Sequence, residues 1–234
     1  MPQSQLRSPW QCLHVLVVSA LLTCVAYSHA LIPHMELAQP PALRALLVAL
    51  DEWASSGTEP PPSMTPQLRN ATFTTPDKLA FPAIPGIQTT RRYNEIGVLK
   101  DWIKPDMDLT RPYRTFVTQV DADGNEIAGI RLPDIAVPLA TYTGWNTYRA
   151  PFPEGELCDR DGSYKAFATT RAGRETAKDP RRSLAERYVD HAAYVKQVED
   201  AAARLVAARV LLTEDAASLI ERAKSDDTKL RFAY

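Results

Sequence analysis

Residues 115–146 read TFVTQVDADGNEIAGIRLPDIAVPLATYTGWN. Two β-rich runs, Thr115 to Val120 and Ile127 to Ile130, flank the acidic stretch Asp121 to Glu126. That layout predicts a β-hairpin. Asp123-Gly124 supplies its turn, because glycine adopts the left-handed conformation without a Cβ penalty. Asp121 and Asp123 also suit the first and third positions of a calcium loop, but such a loop needs Gly at its sixth position and Glu at its twelfth. Gly124 stands fourth and Leu132 twelfth, so no metal is expected. Pro133 to Pro138 then reads as a short apolar extended run, and Thr141 to Asn146 as an aromatic, hydroxyl-rich turn. Trp145 and Asn146 are candidate binding residues, since an indole and an amide together give a pocket area and orientation. The other reading of Trp145 is a core anchor whose N–H finds a backbone partner.

On the N-terminal side, Pro40-Pro41 opens a helical pattern in which Leu43, Leu46, Leu47, Leu50 and Trp53 recur at spacings of three and four. They make one apolar face of an amphipathic helix. Gly57 stops it and Pro60-Pro61-Pro62 prevents resumption. From there to about Pro112 the chain is expected to be loop-rich, with prolines at 66, 76, 82, 85 and 105. A long irregular segment of this kind needs a surface to lie on.

On the C-terminal side, Ser183-Leu184-Ala185-Glu186 is a capping box. The helix it starts carries Tyr188, Ala192, Val195, Val198, Ala202 and Leu205 on one face. Thr213-Glu214-Asp215 caps a second helix, whose buried side is Ala217, Leu219, Ile220 and Ala223. The expected fold class is a mixed α/β fragment. It comprises one amphipathic helix, long Pro-rich loops, a β-hairpin and a C-terminal antiparallel helix pair.

The first thirty residues read differently. Arg7 precedes an apolar stretch, Leu13 to Ala26, interrupted only by His14, Ser19 and Thr23, and Ser28-His29-Ala30 follows. This is the layout of a secretory signal peptide cut after Ala30. It implies a secreted or periplasmic mature chain of residues 31–234. The alternative is a membrane anchor formed by residues 13–30. Cys12 and Cys24 lie in the leader, which leaves Cys158 alone and excludes an internal disulfide in the mature chain. A net charge of −1, with no basic cluster interleaved with aromatics, gives no footprint for nucleic acid.

Catalytic motifs are missing. None of the nine glycines opens a Gly-x-Ser-x-Gly, and the sequence has no phosphate loop, Cys-x-x-Cys or His-Glu-x-x-His. No cofactor is expected. His14 and His29 belong to the leader and His34 lies just beyond it. His191, between Asp190 and Tyr194, is therefore the candidate base, with a structural hydrogen bond as its alternative role. Asn70-Ala71-Thr72 matches the glycosylation sequon.

The run from Val120 to Asn146 resembles the C-terminal region of a bacterial α/β-hydrolase-domain family. So do Gly57 to Ser63, Phe81 to Gly86 and Ser183 to Tyr194. The resemblance covers roughly residues 38 to 227. It implies that residues 42 to 54 are the last helix of a hydrolase core and that the rest is an extension laid over that core. In the family the Gly-x-Ser-x-Gly elbow lies upstream of this segment, so no catalytic role carries over to any position here. The resemblance therefore implies an incomplete α/β-hydrolase fold, incompetent alone, whose full-length relatives hydrolyse esters or similar acyl substrates. It also implies a partner chain supplying the missing core. The competing expectation is an exported, non-catalytic binding or accessory module.

Overall fold

The computed structural model describes residues 39–90, 93, 96–148, 155–157 and 162–232. The leader, His34 and Cys158 lie outside them. Helix α1 (Gln39–Ser56) begins on Pro40-Pro41 and ends at Gly57. Gly57 sits at φ 72° and returns its N–H to the Trp53 carbonyl at 3.1 Å. The helix buries a narrow strip of small residues, Ala45 and Ala49. Arg44 ties it to Glu214 and Asp215, and Arg209 to Glu52. The leucine stripe faces the other way. Leu43, Leu47, Leu50 and Trp53 are all more than half exposed.

Three two-stranded antiparallel sheets follow among the described residues. Strand β1 (Phe73–Thr74) pairs with β4 (Val117–Thr118). Strands β2 (Gly97–Asp101) and β3 (Asp106–Pro112) form a hairpin, and β5 (Ala140–Thr143) pairs with β6 (Ser163–Ala166). Two expectations are corrected here. Thr115 to Val120 does not pair with Ile127 to Ile130 as a ladder. The bridge Val120–Glu126 and the Ile127 N–H on the Gln119 carbonyl close the turn, and then the chain leaves. Gly129 takes φ 88° and donates to the Met64 carbonyl, which pulls the second run onto the Pro-rich loop instead. The partner of β4 comes from residues 73–74.

The second correction concerns the stretch before Pro112, read as loop. It contains the β2–β3 hairpin, which stands out from the body. Residues 99–114 are all exposed except Asp108, and Trp102 and Ile103 at the tip are 78% and 81% exposed.

The helical half is built as a stack. Helix α2 (Pro133–Ala136) is a single turn with Pro133 in its first turn, where the missing N–H costs nothing. The Pro133 to Pro138 run is thus not extended throughout. Helix α3 (Arg171–Thr176) precedes α4 (Leu184–Arg187). Ser183 donates its N–H and hydroxyl to Glu186 Oε2 at 2.9 and 2.7 Å, so the capping box is present. It starts only this one turn, because Tyr188 returns to extended backbone and Asp190 caps a new helix, α5 (His191–Ala207). Helix α6 (Thr213–Lys224) folds back on α5, followed by the short α7 (Asp226–Lys229). The flanking cap of α6 is Leu212, and Ala216 rather than Ala217 is its buried alanine. Two apolar clusters hold this half together. One joins Val137, Leu139 and Phe167 to Leu184, Tyr188, Tyr194 and Val198. The other joins Leu132 to Ala202, Leu211 and Leu219.

Candidate functional site

The acidic turn is the hinge of the molecule's polar interior. Asp121 Oδ1 accepts the N–H groups of Asp123 and Asn125, each at 3.0 Å. Gly124 lies at φ 79°. A Cβ there would come within 3.1 Å of Ile84, Phe81 and Thr141 side-chain atoms. Asn125 is fully buried. Its amide donates to the Ala140 carbonyl at 3.0 Å and its oxygen accepts the Tyr142 N–H at 2.8 Å, which docks the turn onto β5.

Two arginines lock this arrangement from the C-terminal half. Arg187 makes a bidentate pair with Asp123 and lies 4.0 Å over the Phe167 ring. Arg181 is 2% exposed. It pairs with Asp179 and donates to Thr141 Oγ1 at 2.8 Å, to the Lys165 carbonyl at 2.8 Å and to the Ala166 carbonyl at 3.2 Å. The Asp179 carboxyl sits below the usual carboxylate range. Burial alone would raise it, and the hydrogen bonds from Arg181 prevail. Burial also holds the Tyr142, Tyr188 and Tyr194 phenols above the usual tyrosine range. They are proton donors at neutral pH, and Tyr188 donates to the Pro138 carbonyl at 2.8 Å.

On one side of the turn lies a cavity of about 210 Å³. Phe81 and Trp145 form its aromatic corner, with ring centroids 5.7 Å apart at 57°. Tyr93, Leu79, Val117, Val120 and Leu157 add apolar wall; Thr118, Thr143 and Glu126 add polar groups. Thr143 is fixed within the sheet, accepting the Ser163 N–H at 3.0 Å. Glu126 Oε1 accepts the Thr118 hydroxyl at 2.8 Å.

The sequence candidates fall in different places. Trp145 lines the cavity. Asn146 uses its side-chain oxygen to accept the Thr147 N–H at 2.8 Å and is not part of the wall. His191 is remote from both, at the start of α5. Its Nε2 donates to the Ala223 carbonyl at 2.8 Å, one of the last carbonyls of α6, which lack partners within their own helix. Its ring lies among Tyr194 and Phe232. That hydrogen bond goes to a backbone carbonyl and not to a serine, threonine or cysteine side chain. Among the described residues no group of three or more His, Cys, Asp or Glu side chains is arranged to hold a metal ion. No described helix is long and apolar enough to cross a membrane.

The family model for the alpha/beta hydrolase domain matches residues 21–221. The chain belongs to this α/β hydrolase domain family. No curated protein and no solved structure matches it. The matched span takes in α1, the three sheets of the described residues, helices α2 to α5 and most of α6. It also includes residues 21–30, within the segment read as a leader. As a hydrolase-domain protein the chain has the mixed α/β architecture of a partial hydrolase fold. It carries no Gly-x-Ser-x-Gly in its sequence. Sequence reasoning missed Phe81, Tyr93 and Glu126 as cavity residues. They come from distant segments, and the pairing of β1 with β4 and the docking of the acidic turn on β5 bring them together.

Proposed function

We propose that this chain is the C-terminal part of an exported α/β-hydrolase-domain protein, non-catalytic alone, which completes itself on a chain carrying the hydrolase core. The observation that carries this reading is the leucine face of α1, open to solvent along its length while the opposite alanine strip is buried. A stripe of large apolar side chains at helical spacing belongs against a layer of structure, and the described residues offer it none. The exposed β2–β3 hairpin supports the same reading, since a two-stranded hairpin alone is marginal in water. The absence of a nucleophile elbow closes the acyl-enzyme route. Full-length relatives with the elbow would hydrolyse esters or similar acyl substrates.

A second reading, an exported non-catalytic binding module, draws on the aromatic cavity around Trp145. The DNA upstream of the start codon separates the two. An adjacent frame encoding Gly-x-Ser-x-Gly and strand-like segments supports the split hydrolase; an intact unrelated gene supports the independent module. The exported form would be found outside the cytoplasm as a chain beginning at Leu31. Full-length protein in the membrane fraction would point instead to an anchor, and would also agree with the family match beginning at residue 21.

A further inference from the structure

We propose that the cavity beside the acidic turn binds a small alkylammonium cation, of the quaternary or tertiary amine class. Four aromatic residues line it, Phe81, Tyr93, Tyr142 and Trp145. Glu126 is the sole charged side chain on the wall among the described residues. Aromatic faces carry negative charge density, and an alkylated ammonium is attracted to several of them at once while its methyl groups satisfy their apolar surface. A primary ammonium or a metal ion is a poorer match, because each demands a full shell of oxygen ligands, whereas the described wall is mostly apolar and its Thr118 and Thr143 hydroxyls are already bonded to other groups.

The corner is rigid enough to select a shape. Phe81 lies against the Gly124 turn, where a Cβ would approach its ring to 3.1 Å. That turn is pinned by Asn125 and by the Asp123–Arg187 pair. Trp145 follows Thr143, whose hydroxyl is held by Ser163. Glu126 is exposed at the rim, and its Oε1 is oriented by Thr118. The carboxylate thus meets an incoming cation in solvent and the rings receive its alkyl groups. The volume, about 210 Å³, suits a head group with a short tail.

The test is a calorimetric titration of the full chain with three probes of one shape and different charge: choline, its neutral isostere 3,3-dimethylbutan-1-ol, and the anion 3,3-dimethylbutanoate. Choline is expected to bind about tenfold more tightly than the neutral isostere, and the anion not at all. Glu126→Gln, which keeps an acceptor for Thr118, should lose most of that difference, and Phe81→Leu should weaken choline more than the alcohol. The same titration on a Leu43→Gln/Leu47→Gln chain must give the same order, which removes self-association through α1 as a source of signal. Equal binding of choline and the alcohol overturns the proposal, as does no binding of any probe at millimolar concentration. Preference for the anion overturns it as well.

Discussion

Replacing Arg181 by Met keeps an unbranched apolar stem of similar girth and removes the side chain's charge and all its donors. In the native chain the guanidinium makes five hydrogen bonds that can be named individually. Nε reaches Asp179 Oδ1 at 2.9 Å and Nη2 reaches Oδ2 at 2.6 Å. Nη1 serves Thr141 and the Lys165 carbonyl, each at 2.8 Å, and Nη2 also serves the Ala166 carbonyl at 3.2 Å. The backbone N–H of Arg181 completes the set on Asp179 at 3.0 Å and survives the substitution. The variant leaves the Asp179 carboxylate, 7% exposed, without its counter-charge, and strips two β6 carbonyls of a donor. Removing one partner of a buried ion pair costs about 3–5 kcal/mol, a large share of the 5–15 kcal/mol typical of a domain. Urea unfolding followed by far-UV circular dichroism, on the Leu43→Gln/Leu47→Gln background to keep the chain monomeric, measures the cost. The pH dependence adds a signature. In the native chain Asp179 titrates below its unfolded value, so its contribution is present above about pH 4 and fades as pH falls. In the variant burial alone governs and its folded pKa rises, so stability should recover on acidification. An additional Asp179→Leu change should restore at least about 2 kcal/mol, because no unpaired charge remains. A cost under 1 kcal/mol for Arg181→Met, or no recovery in the double variant, would refute the view that this pair organises the interior.

Three further outcomes follow from other parts of the structure. Gly124→Ala should destabilise by roughly 1–3 kcal/mol, from a positive φ and three 3.1 Å contacts, a loss read as a lower urea midpoint. The native chain should bind an apolar dye and self-associate with rising concentration in sedimentation velocity, and Leu43→Gln/Leu47→Gln should reduce both, since these side chains are exposed already and their change leaves the core untouched. Glu186 is held well below the carboxylate range, first by Arg174 and then by the Ser183 N–H and hydroxyl. Its contribution is therefore present above its unfolded pKa and is lost as pH falls through the lower folded value, and Glu186→Gln should flatten the acid limb of a stability–pH curve.

The parts of the fold that could be read from the sequence share one property: their determinants are local. Leu43 to Trp53 sit at helical spacing, Ser183 and Glu186 lie three residues apart, and Asp123-Gly124 asks for a tight turn. Each is present in the structure. What escaped depends on partners far along the chain. Val117-Thr118 looks as ready to pair with Ile127 as with Phe73, but it pairs with Phe73-Thr74 while the second run turns away at Gly129, φ 88°. The β2–β3 hairpin was hidden by Pro105 and Pro112, which read as breakers but occupy its turn and its last position. Arg181 stands in a Pro-Arg-Arg stretch that reads as solvent-exposed loop; its burial follows from two β6 carbonyls and Asp179, none of which forms a motif. The cavity was half legible, through Trp145 and its hydroxyl-rich neighbours. Phe81, Tyr93 and Glu126 come from three separate segments, so no spacing rule joins them to it.

The claim at the centre of this account is that the chain does not catalyse acyl transfer alone, and hydrolysis of p-nitrophenyl butyrate by the purified protein tests it most directly. Release of p-nitrophenol should match buffer at every enzyme concentration, and a fluorophosphonate probe should label no serine. Turnover proportional to protein and abolished by His191→Ala would contradict the account, and would make His191 a working base rather than a cap on the end of α6.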